Sequence, residues 1–434
     1  MNPMLWSVGL PVAAAAAYLV LGWRNTTRWF AVMAGGATLI WSATTVALSS
    51  PQSPHHASAL FVLAISAAAV LAFLALPARI DAELADQKMG DRAAAWSAAL
   101  TVSLLAVAIL TVTVTDLGLS WLVLTAGIIP TAALMTYQRT PSGRRAARRL
   151  VRASVPTTLG GLVAVVLYWF GEPSAMAMLL LGAVLIAHAV AMPAALARTG
   201  VMSQLPSPSP ILVFVTVPAA AAAVVVRWSG QAAFVLGVTG VRTFLLVTGI
   251  VILLAATAAM LWSRDLRSLL GYAGCANGGF AVLLAAAGPA SGNLVAGYLL
   301  AFGAIAAALL IATADVVTVV GSSDLRLVGG WSGRSRPHAT VMTVALAALA
   351  GIPIWGVWLS TFEQWGGVTP LVGFAAVVMA AAVFMAGRRI LGQAAAHPHL
   401  ASRRLAEPPA GLPVMTAGVG ASVLLVVTGS VWLV

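Results

Sequence analysis

Three ionisable side chains stand at or near membrane depth, within or just beyond long apolar runs: His188, Asp315 and Glu363. An ionisable group inside a lipid-spanning segment is costly to keep there and by default marks a route for protons or ions. His188 has the chemistry for one. Imidazole titrates near neutral pH, and it can take a proton on one ring nitrogen and release it from the other. The plainer alternative is a neutral imidazole hydrogen-bonded to a neighbour. Asp315 stands toward one end of its run and can equally face the headgroup region. Glu363 falls just past the end of another run and can equally cap or face the interface. The three are far apart in sequence and do not form a continuous proton wire on their own.

Other chemistry finds no footing. The chain has neither a G-x-x-x-x-G-K-S/T phosphate loop nor an H-E-x-x-H metal helix. Its one cysteine, Cys275, excludes a disulfide framework and a cysteine-built metal centre. His55, His56, His397 and His399 lack acidic or cysteine neighbours and read as ordinary loop residues. No cofactor and no metal are expected.

The elements that must position these residues follow from composition. Of 434 residues, 61% are hydrophobic and 8% charged, with mean hydropathy +1.00. A soluble domain carries about 25% charged residues, so lipid must be the solvent for most of this chain. A span needs roughly 20 apolar residues. Such runs occur at Met4–Gly22, Trp29–Leu48, Ser58–Leu76, Ala94–Thr113, Leu117–Tyr137, Val155–Phe170 and Ala175–Ala197. They continue at Pro210–Val226, Thr243–Trp262, Leu269–Ala287, Asn293–Val319, Ala339–Leu359, Val368–Ala386 and Val414–Leu433. The expectation is an all-α integral membrane protein of about 14 transmembrane helices, in one domain over residues 1–434. Unpaired backbone is intolerable in lipid, which makes these runs helices and not open strands. The first run has no basic residue before it and reads as a retained helix.

The loops test that count. Those after odd-numbered helices hold nearly all the basic residues, among them Arg24, Arg28, Arg79, Arg92, Arg144 to Arg152, Arg264, Arg326 and Arg388. Only Arg227 and Arg242 fall in an even loop, and Lys88 is the single lysine. Positive loops stay in the cytoplasm, which puts both termini on the outer side of an inner, cytoplasmic membrane. The net charge of +12 therefore reads as topology and lipid contact, not as affinity for nucleic acid. Pro193 and Pro353 interrupt otherwise continuous runs beside small residues, and proline breaks the helix ladder. Those two helices are expected to be discontinuous.

Four segments then resemble one family. The stretch from Ser263 to Phe280, SRDLRSLLGYAGCANGGF, resembles R-D-L-K-R-L-L-A-Y-S-S-I-S-H-M-G-F, a pattern of the proton-translocating subunits of complex I, Mrp antiporters and membrane-bound hydrogenases. Residues Leu349 to Trp358 (LAGIPIWGVW) are similar to its L-A-G-I-P-P-L-A-G-F, Pro206 to Phe214 to its A-P-T-P-V-T-A-F, and Asp116 to Leu122 to its D-L-L-L-F-Y-V. The resemblance implies inverted-repeat halves at roughly 94–226 and 243–387 and other membrane and peripheral subunits as partners.

It also implies where the family's buried charges would stand. The fifth-helix glutamate falls on Thr125, the lysine of the first broken helix on His188, and the next lysine on Ala219. The tenth-helix histidine falls on Asn277, another lysine near Ala306 or Ala307, and the lysine of the second broken helix on Thr361. The implied function is a membrane subunit of a proton- or cation-linked complex: complex I-like, hydrogenase-like, Mrp-like or an inorganic-carbon uptake pair. Such a subunit is structural or coupling, with a degenerate proton path, and not catalytic by itself. Two alternatives stay open. One is an active proton conductor using His188, waters and Asp315. The other, disfavoured because no outer loop clusters carboxylates or basic residues, is a membrane-embedded lipid-modifying enzyme.

Overall fold

A computed structural model describes residues 5–50, 53–87, 89–137, 140–171, 174–198, 209–288, 291–320, 323–325, 342–350 and 369–392. Every regular element among them is a helix. In chain order they are α1 (Leu5–Leu21), α2 (Phe30–Leu48), α3 (Pro54–Ala85), α4 (Asp91–Thr113), α5 (Leu117–Ala126), α6 (Ile128–Thr136), α7 (Pro141–Phe170) and α8 (Ala175–Arg198). After them come a single turn, α9 (Ser209–Ile211), a π-helical turn at Leu212–Thr216, α10 (Val217–Trp262), α11 (Leu266–Ala285) and α12 (Gly292–Val320). Residues 342–350 form α13 and Thr369–Gly392 form α14. Eight described segments are long and apolar enough to cross a membrane, and three shorter apolar helices accompany them. The chain is an all-α, multi-pass membrane protein. Each of the first thirteen expected runs contains described helix, while Val414–Leu433 lies outside the described residues.

Several boundaries differ from expectation for physical reasons. Helix α3 runs nine residues past Leu76, because Arg79 and Glu83 pair one turn apart at 2.7 Å and keep the polar end helical. Helix α7 begins at Pro141, not Val155, with Thr140 capping the amide of Gly143 at 3.0 Å. Its arginine run is thus helix and not loop: Arg144, Arg145, Arg148, Arg149 and Arg152 are exposed, while Gly143, Ala146, Ala147 and Leu150 are buried opposite. The fifth run divides at Gly127 into α5 and α6. Helix α8 is continuous through Pro193 as far as Arg198. Pro353 lies outside the described residues.

Helix α10 holds two passes. Gly237 alone leaves helical geometry, at φ 73°, where glycine has no Cβ to clash. The Trp228 and Phe244 rings lie 5.5 Å apart, whereas 16 residues of straight helix would separate them by about 24 Å. The chain therefore doubles back at Gly237.

Contacts between loops bear out the alternation. Numbered by the helical run they follow, odd loops meet odd loops. From the first, Trp23 Nε1 donates to Asp81 of the third at 3.2 Å, and Arg28 pairs with Asp81 at 3.1 Å. Tyr137, which ends the fifth run, donates to Glu83 of the third loop at 2.9 Å. The ninth and eleventh join by a backbone bridge, Leu266 N–H to Ser323 O at 2.8 Å and Leu325 N–H to Arg264 O at 2.9 Å. Even loops meet even loops. Trp169, in the last turn of the sixth run, donates to Asp116 of the fourth loop at 3.1 Å, and Tyr168 beside it to Gln231 of the eighth at 3.2 Å. Arg227 of the eighth binds the Val112 carbonyl at 2.7 Å, and the Val114 carbonyl and Ser120 hydroxyl as well. A cation at the C-terminal end of α4 also complements that helix's dipole.

The passes pack through small residues, as expected where lipid is no less apolar than the helix faces. Gly249 of α10 and Gly279 of α11 let two backbones meet, with the carbonyl of each about 3 Å from where the other's Cβ would stand. Gly161 of α7 receives the Trp121 indole and Gly182 of α8 receives the Trp228 indole. Trp228 Nε1 then donates to the Met178 carbonyl at 2.9 Å, which satisfies its only polar atom.

Candidate functional site

Helix α11 is the central element, with its span 89% buried. It packs against α8, α10 and α12. Its glycine-rich face allows this: Gly278 rests on Ala189 and Val190 of α8, and the Cys275 thiol reaches the Val190 carbonyl at 3.4 Å. His188 directly precedes these two residues, and its buried ring turns toward Thr125 of α5.

His188 is 4% exposed. Its Nδ1 lies 3.3 Å from the Val184 carbonyl, one turn back on the same helix. A carbonyl can only accept, so Nδ1 carries the hydrogen. Nε2 is left as an acceptor, 3.4 Å from the Thr125 hydroxyl, which donates to it. Both ring nitrogens of a neutral imidazole are thereby engaged, through contacts at the long end of the hydrogen-bond range. Thr125 reaches the ring because it sits two residues before the Gly127 break between α5 and α6. The structure thus joins two of the residues singled out in the sequence, His188 and Thr125.

Asn277 makes a separate pair. It is fully buried; its amide donates to the Ala273 carbonyl at 2.8 Å, and its oxygen accepts from the Tyr298 hydroxyl of α12. Among the described residues no hydrogen bond links this pair to His188 and Thr125. Ala219 is 2% exposed in the wall of α10, one residue after Pro218. Ala306 lines a void of about 20 Å³ beside Phe214, Leu270, Phe302 and Leu309. That is room for one water, yet a water needs two to four polar partners and the lining side chains supply none. Asp315 lies within α12, five residues before its end at Val320. Thr361 and Glu363 lie outside the described residues.

One polar network is not evident from the apolar pattern. Glu83 is 2% exposed at the end of α3, held by Arg79 at 2.7 Å and by the Tyr137 hydroxyl at 2.9 Å. Arg267 of α11 and Asp265, which caps that helix, lie within electrostatic reach of each other, and Arg79 within reach of Arg267. The spacing of Arg79 and Glu83, four residues on one helix face, is the signal that could have found it. Among the described residues no group of three or more His, Cys, Asp or Glu side chains could hold a metal ion.

A bundle of small-residue crossings, a helix doubling back at one glycine and isolated buried polar pairs define a polytopic all-α membrane fold. The chain belongs to the NADH:quinone oxidoreductase/Mrp antiporter transmembrane family, whose sequence model matches residues 149–386. No curated protein matched the chain by sequence. Among solved structures it is similar to a chain of the membrane-bound sulfane sulfur reductase, an archaeal respiratory membrane complex, with TM-score 0.80, 16% identity and coverage of 100% of this chain and 96% of that one. It is also similar to a chain of the Mrp complex from Dietzia sp. DQ12-45-1b, with TM-score 0.75, 17% identity and coverage of 100% and 95%. A chain of respiratory complex I from Thermus thermophilus gives TM-score 0.73, 19% identity and coverage of 98% and 96%. The TM-scores show a shared fold, and at these identities the likeness shows the fold alone.

Proposed function

We propose that this chain is a membrane subunit of a multi-subunit proton- or cation-linked complex, in which it serves as scaffold or coupling element and not as an independent proton pump. The similar structures come from assemblies named as respiratory complex I, an Mrp complex and an archaeal respiratory membrane complex, and this supports a subunit role. The observation that carries the non-pumping half is local satisfaction. His188 is closed by Val184 and Thr125, Asn277 by Ala273 and Tyr298, and the void at Ala306 is apolar. A proton wire needs groups that hand over to one another, and among the described residues no hydrogen bond joins these pairs.

In this reading the halves at roughly 94–226 and 243–387 are inverted repeats kept for packing against neighbours. The arginine-rich odd loops face the cytoplasm of a cell bounded by an inner membrane, with both termini outside. A second reading, conduction through His188 with waters and Asp315, draws on the single hydrogen bond between His188 and Thr125.

Proton flux separates the two. The purified chain in sealed vesicles is given a pH step and followed with an internal pH dye. The scaffold reading expects leakage no faster than that of protein-free vesicles, and the same from His188→Ala. Flux in the wild type that His188→Ala abolishes would establish conduction in its place.

A further inference from the structure

A cleft of about 520 Å³ opens where the end of α1 meets the start of α4. Arg24, at the turn after α1, and Asp91 and Arg92, in the first turn of α4, line its polar end. Leu19, Val20 and Trp96 line its apolar end. Among the described residues no ion pair engages Arg24, Arg92 or Asp91. Helix ends of membrane spans lie at headgroup level, and tryptophan gathers there. The apolar end continues onto the lipid-facing surface, where Val20 is 82% exposed, Leu19 48% and Trp96 47%.

An occupant must therefore carry an anionic head above an apolar tail. The charges that line the cleft, two guanidinium groups and one carboxylate, match a single phosphodiester with a hydrogen-bond donor beside it. Guanidinium groups make strong, charge-assisted hydrogen bonds to phosphate oxygens. The carboxylate of Asp91 accepts from a hydroxyl. We propose that this cleft binds the headgroup of an anionic, glycerol-bearing phospholipid, with its phosphate held by Arg24 and Arg92 and its glycerol hydroxyl by Asp91. The side is the arginine-rich one, where basic pockets between helices recognise anionic lipid heads.

The full chain, purified in mild detergent and stripped of native lipid, tests this. It is titrated with phosphatidylglycerol or phosphatidylcholine, and bound lipid is counted by native mass spectrometry. The wild type is expected to hold one phosphatidylglycerol roughly 30-fold more tightly than phosphatidylcholine, about fivefold for each arginine. The Arg24→Gln/Arg92→Gln variant loses that preference. Arg148→Gln/Arg152→Gln removes equal charge from the same side and keeps it. Wild type is further expected to favour phosphatidylglycerol over phosphatidylmethanol, which lacks the hydroxyl, and Asp91→Ala to bind the two alike. An excess of sn-glycerol 3-phosphate leaves the lipid in place. The proposal is overturned if the wild type shows no preference, if the arginine variant keeps it, if the control loses it equally, or if glycerol phosphate displaces the lipid.

Discussion

Replacing Gly279 by alanine puts a methyl group into the crossing of α10 and α11. The new Cβ would stand 2.8 Å from the Ile252 Cγ2 atom, 3.0 Å from the Leu253 nitrogen and 3.2 Å from the Gly249 carbonyl oxygen. Carbon atoms prefer about 3.5–4.0 Å. A side chain can turn aside, but two of these three neighbours are backbone, so the helices themselves must separate. Overpacking of this kind costs about 1–3 kcal/mol. Against it, alanine is favoured over glycine in a helix by up to about 1 kcal/mol. The net expectation is a loss of about 1–2 kcal/mol. Gly36 of α2 supplies the internal control, because a Cβ there meets nothing within 4 Å. Gly36→Ala should leave stability unchanged or raise it. Thermal unfolding of the full chain in detergent, followed by tryptophan fluorescence, reads both. Gly279→Ala is expected to melt a few degrees below wild type and Gly36→Ala at or above it. A Gly279→Ala midpoint equal to that of Gly36→Ala would refute the close crossing.

Two further substitutions probe the polar pairs. Tyr298→Phe leaves the buried Asn277 oxygen without its donor and should cost about 1–3 kcal/mol, with part of the loss recovered by adding Asn277→Leu; a double variant less stable than either single one would contradict the pairing. Glu83→Ala frees Arg79, but Arg79 is 37% exposed and rehydrates, so the expected loss is about 1–2 kcal/mol and not that of a fully buried pair. Tyr137→Phe should then cost less in the Glu83→Ala background than it does alone, because the two side chains share a hydrogen bond, and an additive result in the same melting assay would show that they are not coupled.

Much of this architecture was legible in the residues. Arginine placement alone assigned loops to alternate sides, and the contacts of Trp23, Arg28 and Tyr137 on one side, and of Trp169 and Arg227 on the other, follow that assignment. A search for apolar windows misses polar helix. The arginine stretch of α7 folds because its charges repeat on one face, over Gly143, Ala146, Ala147 and Leu150 on the other. The reversal at Gly237 was hidden for the opposite reason, since its flanks are as apolar as a span interior. At the site, the residue types at 188 and 277 were visible. Their partners were not equally so: Thr125 was indicated by family resemblance, but Tyr298 lies 21 residues from Asn277 on the next helix, and only packing brings them together.

Gentle purification from its native membrane, with mass spectrometry of whatever accompanies the chain, asks whether it works inside a larger membrane assembly. Other membrane and peripheral subunits are expected in fixed ratio, retained when His188 is replaced by alanine. A chain that purifies alone under conditions that preserve neighbouring complexes would contradict that expectation.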